Sequence, residues 1–417
     1  MKSFYIKISS VIFALLFSMQ AFGAILPPTV DNNNDSGLGS LRAAIIYANA
    51  HPGYTIVFSA SFAGIINLVT PLDTIKSTTI IDGTTAPGYN STLGIPGVSI
   101  KGVGVRAGLV ISATSGASFS IIKAIQIEDN VNSSVGIDVI GYDVNGATNV
   151  TIIGCYLFTD FSSPNKDGFR PADNAALGIR FSNCFGGVIG GATPDSANII
   201  NCQLPFYFVN TNLGKARGNF LNTDKSGNTP SGTNPGTFNT GFSLFTATNL
   251  IIEQNTIGYV YTAINLSGGS NSNVIRNNYI GTNAAGTLKI SNGQGIWFSS
   301  GTNNYNTITS NIIANSTGGG AIYMFSTGVN NTISQNSFYC NAGVGYSGGW
   351  NNSYTIPAFT KATYTISAGS ITVSGTSSPY DLIEFFLADP CSGSEGKTYI
   401  GSTNAGISGT WSASLPF

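Results

Sequence analysis

Short units of alternating hydrophobic and polar positions recur along the middle of the chain. One unit places an isoleucine three residues before an asparagine, and it occurs four times. The pairs are Ile252 and Asn255, Ile275 and Asn278, Ile308 and Asn311, and Ile333 and Asn336. Between these pairs lies a second unit with two apolar residues separated by one position. Its copies include Ile264 and Leu266, Ile296 and Phe298, and Ile322 and Met324. Alternation with a period of two over so few residues predicts short β-strands.

The regular recurrence of these units predicts a solenoid of stacked coils. The four asparagines are 23, 33 and 25 positions apart. A strand that returns to the same place in each coil pairs in parallel with its neighbour, at a spacing of about 4.8 Å. We therefore predict an all-β fold, a parallel β-helix, with the four isoleucines stacked inside. We expect the asparagines to form a hydrogen-bonded ladder at a bend, since asparagine tolerates left-handed backbone angles. Asn219 and Asn198 extend this ladder upstream, and Cys155 occupies the next asparagine position.

Both ends of the solenoid show a change of pattern. Residues 41–50 predict a short helix that begins after Ser40 and has one apolar face. Such a helix would cover the open strand edges of the first coil. His51 follows it and is interpreted as structural. After about residue 356 the asparagine repeat stops, and four strand-like segments predict an antiparallel arrangement. These roughly 60 residues fall short of the roughly 100 of an immunoglobulin-like sandwich. We therefore expect a partial, truncated antiparallel β-sandwich.

Several of these motifs resemble bacterial right-handed parallel β-helix repeat proteins. Residues 29–45, with the run Gly37-Leu38-Gly39-Ser40-Leu41-Arg42, and residues 80–89, with Ile81-Asp82-Gly83-Thr84, are similar to the start of such proteins. Asn278-Tyr279-Ile280-Gly281-Thr282 is similar to their repeats. The resemblance covers roughly residues 29–345. It implies a right-handed, pectate-lyase-like solenoid in a large exported protein. It does not imply a catalytic set, because neither the Asp and Gly-His-Gly motifs nor the calcium site of pectin-cleaving relatives is complete here.

The N-terminus predicts export. Lys2 and Lys7 precede an apolar run at residues 11–17, and Ala21-Phe22-Gly23 offers small residues at a cleavage site. We interpret residues 1–23 as a signal peptide, 24–53 as an N-terminal segment with the capping helix, 54–352 as the β-helix and 353–417 as the immunoglobulin-like module. The remaining sequence contains no apolar stretch of membrane length. A secreted or cell-surface location follows as the expectation.

Composition narrows the possible chemistry. Only 8% of residues are charged and the net charge is −1, which argues against a nucleic-acid surface rich in Lys and Arg. His51 is the one histidine, so a Ser-His pair or a His-rich metal site is excluded. The five cysteines are irregularly spaced and match neither a disulfide scaffold nor a zinc site. We expect buried single thiols at Cys155, Cys184 and Cys202.

One insertion concentrates charge. It contains the catalytic candidates Asp160, Asp167, Arg170 and Asp173, together with Lys166. These groups could hold Ca²⁺, or cleave an acidic polysaccharide with Asp-bound metal and Arg as base. The alternative is a solvated loop with local ion pairs. We favour the loop, because the spacing matches no calcium-binding loop and basic residues are interspersed. No cofactor is therefore assigned.

Outward-pointing aromatic residues suggest a binding surface. Trp297 and Tyr323 each lie between two inward-pointing residues, so we expect exposed rings side by side on adjacent coils. Tyr207 and Arg180 belong to the same position upstream. Such a strip could stack on sugar rings, although stacking between coils would equally stabilise the sheet. In a separate position, Glu253 and Arg276 predict an ion pair between neighbouring coils.

Two functional hypotheses follow from the sequence. The first is a non-catalytic exported protein for adhesion or polysaccharide binding, with a polysaccharide or cell-surface glycan as partner. The second is a polysaccharide lyase or glycoside hydrolase that uses the charged insertion. The low charge and the single histidine favour the first, and β-helix architecture alone supports the second. We expect a monomer without a nucleic-acid partner.

Overall fold

The computed structural model describes residues 29–106, 108–128, 135–141, 148–160, 168–169, 177–228, 240–348, 358–365, 369–388, 391 and 395–416. One α-helix, α1 (Leu41–Ala50), and two short 3₁₀ turns at Gly83–Thr85 and Ala113–Ser115 are its helical elements. None of the helices in these ranges is long and apolar enough to cross a membrane.

Most of the described chain forms three long parallel sheets, which we number in the order in which their first strands occur along the chain. Sheet one has ten strands: Tyr54–Val57, Thr79–Asp82, Ile121–Lys123, Thr151–Ile153, Val188–Gly190, Lys215–Arg217, Ile251–Glu253, Val274–Arg276, Thr307–Thr309 and Thr332–Ser334. Sheet two also has ten: Ile65–Leu68, Val98–Gly102, Ile125–Glu128, Tyr156–Leu157, Ile199–Ile200, Phe220–Leu221, Thr256–Ile257, Tyr279–Ile280, Ile312–Ala314 and Ser337–Tyr339. Sheet three has nine: Leu109–Ser112, Val135–Ile140, Leu177–Ser182, Leu204–Val209, Thr240–Phe245, Thr262–Ser267, Gln294–Phe298, Ile322–Met324 and Tyr346–Ser347.

The chain visits the three sheets in turn, so each coil lies in parallel register on the previous one. Ile252, Ile275, Ile308 and Ile333 are aligned partners on four successive coils of sheet one. The first three are fully buried. Thr307 and Thr309 on either side of Ile308 are only half-buried, as the alternation of a strand requires. The predicted all-β parallel β-helix and its isoleucine stack are confirmed.

The predicted asparagine ladder lies at the bend between sheets one and two. Nδ2 of Asn278 donates to Oδ1 of Asn311 and to the carbonyl oxygen of Ile252, each at 2.9 Å. Its own Oδ1 accepts the backbone N–H and the Nδ2 of Asn255 at 3.0 Å. The same links join the buried residues Asn198, Asn219, Asn255, Asn278, Asn311 and Asn336. Cys155 extends the ladder by donating its backbone N–H to Asn198.

One detail of the ladder differs from the sequence interpretation. The left-handed backbone falls on the residue before five of the six ladder asparagines, as at Gln254, Asn277, Ser310 and Gln335, where φ is 53–56°. We assigned that conformation to the ladder asparagine itself, and this was wrong. The ladder asparagine is selected for its amide, which bonds to the coils on both sides. The preceding residue makes the turn.

Helix α1 closes the N-terminal end, as predicted. Ser40 is its N-cap, and its side chain accepts the backbone N–H of Ala43 at 3.2 Å. The residues buried against the first coil are Leu41, Ala44, Ile45 and Ala48. The ring of His51 stacks on Tyr47 at 3.8 Å and bonds to its carbonyl oxygen, consistent with a structural role.

Antiparallel strands at the C-terminal end form a small module that lies against the last coil. Three strands make one sheet (Ala358–Thr365, Ser370–Thr376 and Thr410–Pro416) and two make another (Leu382–Ala388 and Gly396–Asn404). The core is formed by Val373, Ile383, Phe385, Trp411 and Leu415. A disulfide between Cys340 and Cys391 ties the module to the solenoid. Glu395 accepts the backbone N–H of Asn341 at 2.9 Å and its Nδ2 at 3.0 Å. The module therefore ends the solenoid as α1 begins it.

Candidate functional site: the outer face of sheet three

On the outer face of sheet three, one residue from each strand after the first lies in a single row. Going along the solenoid, the aligned partners are Asp138, Arg180, Tyr207, Ser243, Asn265, Trp297, Tyr323 and Ser347. We call this row the aromatic column. The structure thus places all four predicted binding residues in one row. Trp297 and Tyr323 are adjacent, whereas Arg180 lies four coils from Trp297, about 19 Å away at the usual strand spacing.

The rings of Trp297 and Tyr323 are more buried than the sequence predicted. Both residues are half-buried, so the expectation of exposed rings is wrong. Neighbouring outward side chains cover part of the rings, because side chains on one face of a sheet pack across strands. Tyr323 stacks with Phe325, with 6.3 Å between ring centroids. Both Trp297 and Tyr323 keep part of their surface exposed to solvent.

Phe245 and Phe325 are aromatic residues of this face that the sequence reasoning missed. Phe325 follows the strand Ile322–Met324 and is 63% exposed, and Phe245 ends its own strand and is 45% exposed. Phe245 is the aligned partner of Val209 and Ser267, one row away from the aromatic column. The signal was available, since both residues stand two positions after a member of the aromatic column. A second outward row is expected at that interval.

Polar groups are interleaved with the rings. Asn265 is the aligned partner of Trp297 on one side and of Ser243 on the other. The indole Nε1 of Trp297 and the amide Oδ1 of Asn265 are buried, and neither has a hydrogen-bond partner among the described residues. A donor and an acceptor without partners therefore occupy neighbouring positions beside the ring.

Arg180 is engaged within the protein. Its Nε donates to Oδ1 of Asp138 at 2.8 Å, and its Nη2 donates to the other carboxylate oxygen. Hydrogen bonding to Asp138 raises the pKa of Arg180 above its ordinary value, although burial acts in the opposite sense. Arg180 and Asp138 thus form a neutral pair at one end of the aromatic column, next to Tyr207.

The charged insertion can be followed only in part. Asp160 belongs to a short strand, Thr159–Asp160, which pairs antiparallel with Gly168–Phe169. Lys166, Asp167, Arg170 and Asp173 lie outside the described residues. Within the described ranges, no group of three or more His, Cys, Asp or Glu residues could hold a metal ion. The catalytic candidates and the calcium alternative therefore remain predictions.

The three thiols predicted to be single and buried are free and buried. Burial raises the pKa of Cys155 to about 12 and that of Cys184 to about 11. The pKa of Cys202 is raised for the same reason. Because the thiolate is the nucleophile, these protonated groups have no nucleophilic role near neutral pH.

The comparisons with known proteins add no function to this geometry. No model of a known protein family matches the chain, and neither does any curated protein.

Proposed function

We propose that this chain is an exported, non-catalytic β-helix protein that binds a polysaccharide or cell-surface glycan on the outer face of sheet three. The observation that carries the proposal is the adjacent placement of Trp297 and Tyr323, with Phe325 stacked on the tyrosine. The signal peptide predicted at residues 1–23 and the resemblance to bacterial right-handed β-helix proteins support export. The C-terminal module, with its two antiparallel sheets, is proposed to be immunoglobulin-like.

Partly buried rings suit sugar binding. A ring already held by its neighbours loses little conformational freedom when a ligand stacks on it, which lowers the entropic cost of binding. An aromatic pair contributes about 0.5–1.5 kcal/mol beyond the area it buries, and we expect a similar term for each sugar ring stacked here. Adjacent coils repeat at about 4.8 Å. An extended polysaccharide can therefore meet several rings at once.

The polar members of the aromatic column support recognition of hydroxyl groups. Ser243 and Asn265 stand between Tyr207 and Trp297 in the same row. Sugars present hydroxyl edges beside apolar ring faces, so a row that contains both aromatic and polar side chains matches both surfaces. A row that extends over several coils of a sheet favours a long chain over a small molecule, since small-molecule sites are concave.

The test is retention of the purified chain on a panel of insoluble polysaccharides. Trp297→Ala should weaken binding by roughly fivefold, the equivalent of losing about 1 kcal/mol of stacking. Tyr305→Ala is the matched control, because Tyr305 is a 60% exposed tyrosine in the turn after sheet three. Equal retention of Trp297→Ala and the unmodified chain on every glycan would reject the surface. The same incubations should yield no unsaturated or reducing-end products, with or without calcium. Product formation would instead support the polysaccharide-cleaving alternative.

A further inference from the structure

The outer face of sheet one carries a group of charges on three consecutive coils. Arg217, Glu253 and Arg276 are aligned partners, and Lys215 stands two residues before Arg217 on the same side of its strand. We call these four residues the cationic cluster. The sequence predicted one ion pair here, between Glu253 and Arg276, and the structure confirms it. The structure also buries Glu253, whose side chain is 7% exposed, beneath three cations.

One carboxylate serves all three cations. Nζ of Lys215 lies 2.7 Å from Oε1 of Glu253, and Nη2 of Arg276 lies 2.7 Å from Oε2. Nε of Arg217 lies 3.5 Å from Oε1 and donates to the side chain of Gln254 at 2.7 Å. Three positive charges against one negative leave the cluster with a net charge of two. That excess stands out in a chain with only 8% charged residues.

The cations keep free hydrogen-bond donors. In the described part of the chain, Nη1 and Nη2 of Arg217 and Nη1 of Arg276 have no hydrogen-bond partner. The side chains of Lys215, Arg217 and Arg276 remain 36%, 34% and 43% exposed. A guanidinium with free terminal N–H groups is suited to a second oxyanion, because its fork matches the oxygens of such a group.

We propose that the cationic cluster binds the anionic groups, carboxylate or sulfate, of an acidic polysaccharide. Arg217 and Arg276 are two coils apart, about 9.6 Å at the usual strand spacing, so each can contact a different anionic group of one extended chain. Beside them runs an aliphatic row of aligned residues, Val188, Ile251 and Val274, which is interrupted only by Lys215. An aliphatic row suits the apolar faces of sugars. Binding of single-stranded nucleic acid instead relies on aromatic side chains that stack on bases.

This second surface is independent of the glycan surface proposed on sheet three, because the two lie on different sheets. The test measures affinity for dextran sulfate and carboxymethyl-dextran, with unmodified dextran as the uncharged matrix. The double variant Arg217→Gln and Arg276→Gln should weaken binding by about tenfold or more, since hydrogen bonds to charged groups are strong. Binding of the unmodified chain should fall as salt is raised, through screening.

A charge-matched control distinguishes specific binding at the cationic cluster from non-specific electrostatic attraction between the polysaccharide and the protein. Arg106→Gln with Lys289→Gln removes two exposed cations elsewhere in the described chain and should leave affinity unchanged. Equal losses in the two double variants, or no loss in either, would overturn the proposal.

A second double variant, Arg217→Lys with Arg276→Lys, keeps the charge and removes the planar guanidinium groups, and we expect an intermediate affinity. If the Gln variant unfolds, this Lys variant still decides, because unchanged affinity would overturn the proposal. A larger loss on one charged matrix identifies sulfate or carboxylate as the preferred group. Trp297→Ala should not alter these values, so the two surfaces can fail separately.

Discussion

Each ladder asparagine satisfies buried backbone groups that no sheet can reach. At the bend the chain leaves sheet one and enters sheet two. Some backbone N–H and C=O groups at the bend therefore have no partners in a neighbouring strand. Asn278 serves the coils on both sides, with its Nδ2 on Ile252 and Asn311 and its Oδ1 on Asn255. A buried polar group without a partner costs about 1–3 kcal/mol. Asparagine is selected here because it both donates and accepts within one short side chain.

Asn278→Ala should therefore destabilise the protein by about 2–4 kcal/mol, because it leaves the carbonyl of Ile252 and the backbone N–H of Asn255 without partners. Chemical denaturation followed by circular dichroism measures the loss. Asn33→Ala is the control, since Asn33 is exposed and has no hydrogen bond among the described residues. If the two variants lose the same stability, the ladder does not stabilise the bend.

At the scale of the strand, each element is too short to be stable alone and depends on its two neighbours. The strands of sheet one after Asp82 have three residues each, and a short isolated pair of strands is marginal in water. Stacking changes this, because Ile308 contributes a fully buried side chain between Ile275 and Ile333. The stability of such an array is approximately a sum over neighbouring coils.

Ile308→Ala should cost about 2–5 kcal/mol, through the loss of buried area and the cavity that remains. The effect should be local, so hydrogen exchange should rise in the coils that contain Ile275 and Ile333 and stay unchanged near helix α1. Thr307→Ala, on the outer face of the same strand, controls for the loss of strand propensity. A uniform increase in exchange along the whole solenoid would argue against stability summed between neighbours.

The sequence predicted the structure best where successive coils need the same residue type at the same position. The ladder asparagines run through six consecutive coils and the predicted isoleucine stack through four, so their alignment could be predicted to the residue. The half-burial of Trp297 was not predictable, because it depends on side chains from rows that the repeat does not mark. The third and fourth members of the cationic cluster, Lys215 and Arg217, stand in a strand whose inward residue is Ala216. The sequence interpretation missed them although the signal was available, because Arg217 and Glu253 each stand two positions before a ladder asparagine.

At the scale of the whole molecule, a stack of coils exposes an open edge at each end, and this protein covers the two edges in different ways. Helix α1 covers the first coil with aliphatic side chains, as the sequence predicted. The C-terminal module covers the last coil with carboxylates. Glu384 accepts the backbone N–H of Gln335 at 2.9 Å, and Glu395 bonds to Asn341. Because single glutamates and one disulfide carry these contacts, no repeat in the sequence could reveal them.

A second row of asparagine hydrogen bonds reaches the last coil at Asn341. Glu395 ends this row, because it occupies the place where a further coil would supply the next asparagine. In the coil before, the backbone N–H of Ser316 donates to Oδ1 of Asn341 at 3.0 Å. Among the described residues, no further coil follows the one that contains Asn341. Its backbone N–H and Nδ2 instead donate to the two carboxylate oxygens of Glu395, which is buried. The two oxygens of the carboxylate accept these two donors. Within the solenoid, the single Oδ1 of the next asparagine accepts both, as Oδ1 of Asn278 does for Asn255.

Glu395→Ala should therefore loosen the last coil and leave the rest of the solenoid intact. The loss of the carboxylate leaves the backbone N–H and one Nδ2 hydrogen of Asn341 without a partner, since the other Nδ2 hydrogen bonds to the carbonyl oxygen of Ile313. We expect about 1–3 kcal/mol less protection there in native-state hydrogen exchange. Glu395→Gln should lose less protection, because the amide keeps one acceptor oxygen.

Replacing Cys340 and Cys391 by serine tests the disulfide separately, since it removes this link and keeps the carboxylate. If Asn341 stays as protected in Glu395→Ala as in the unmodified chain, the disulfide alone holds the module, and the double serine variant should then lose that protection. If Glu395 is the cap, protection should instead fall in the alanine variant with the disulfide intact.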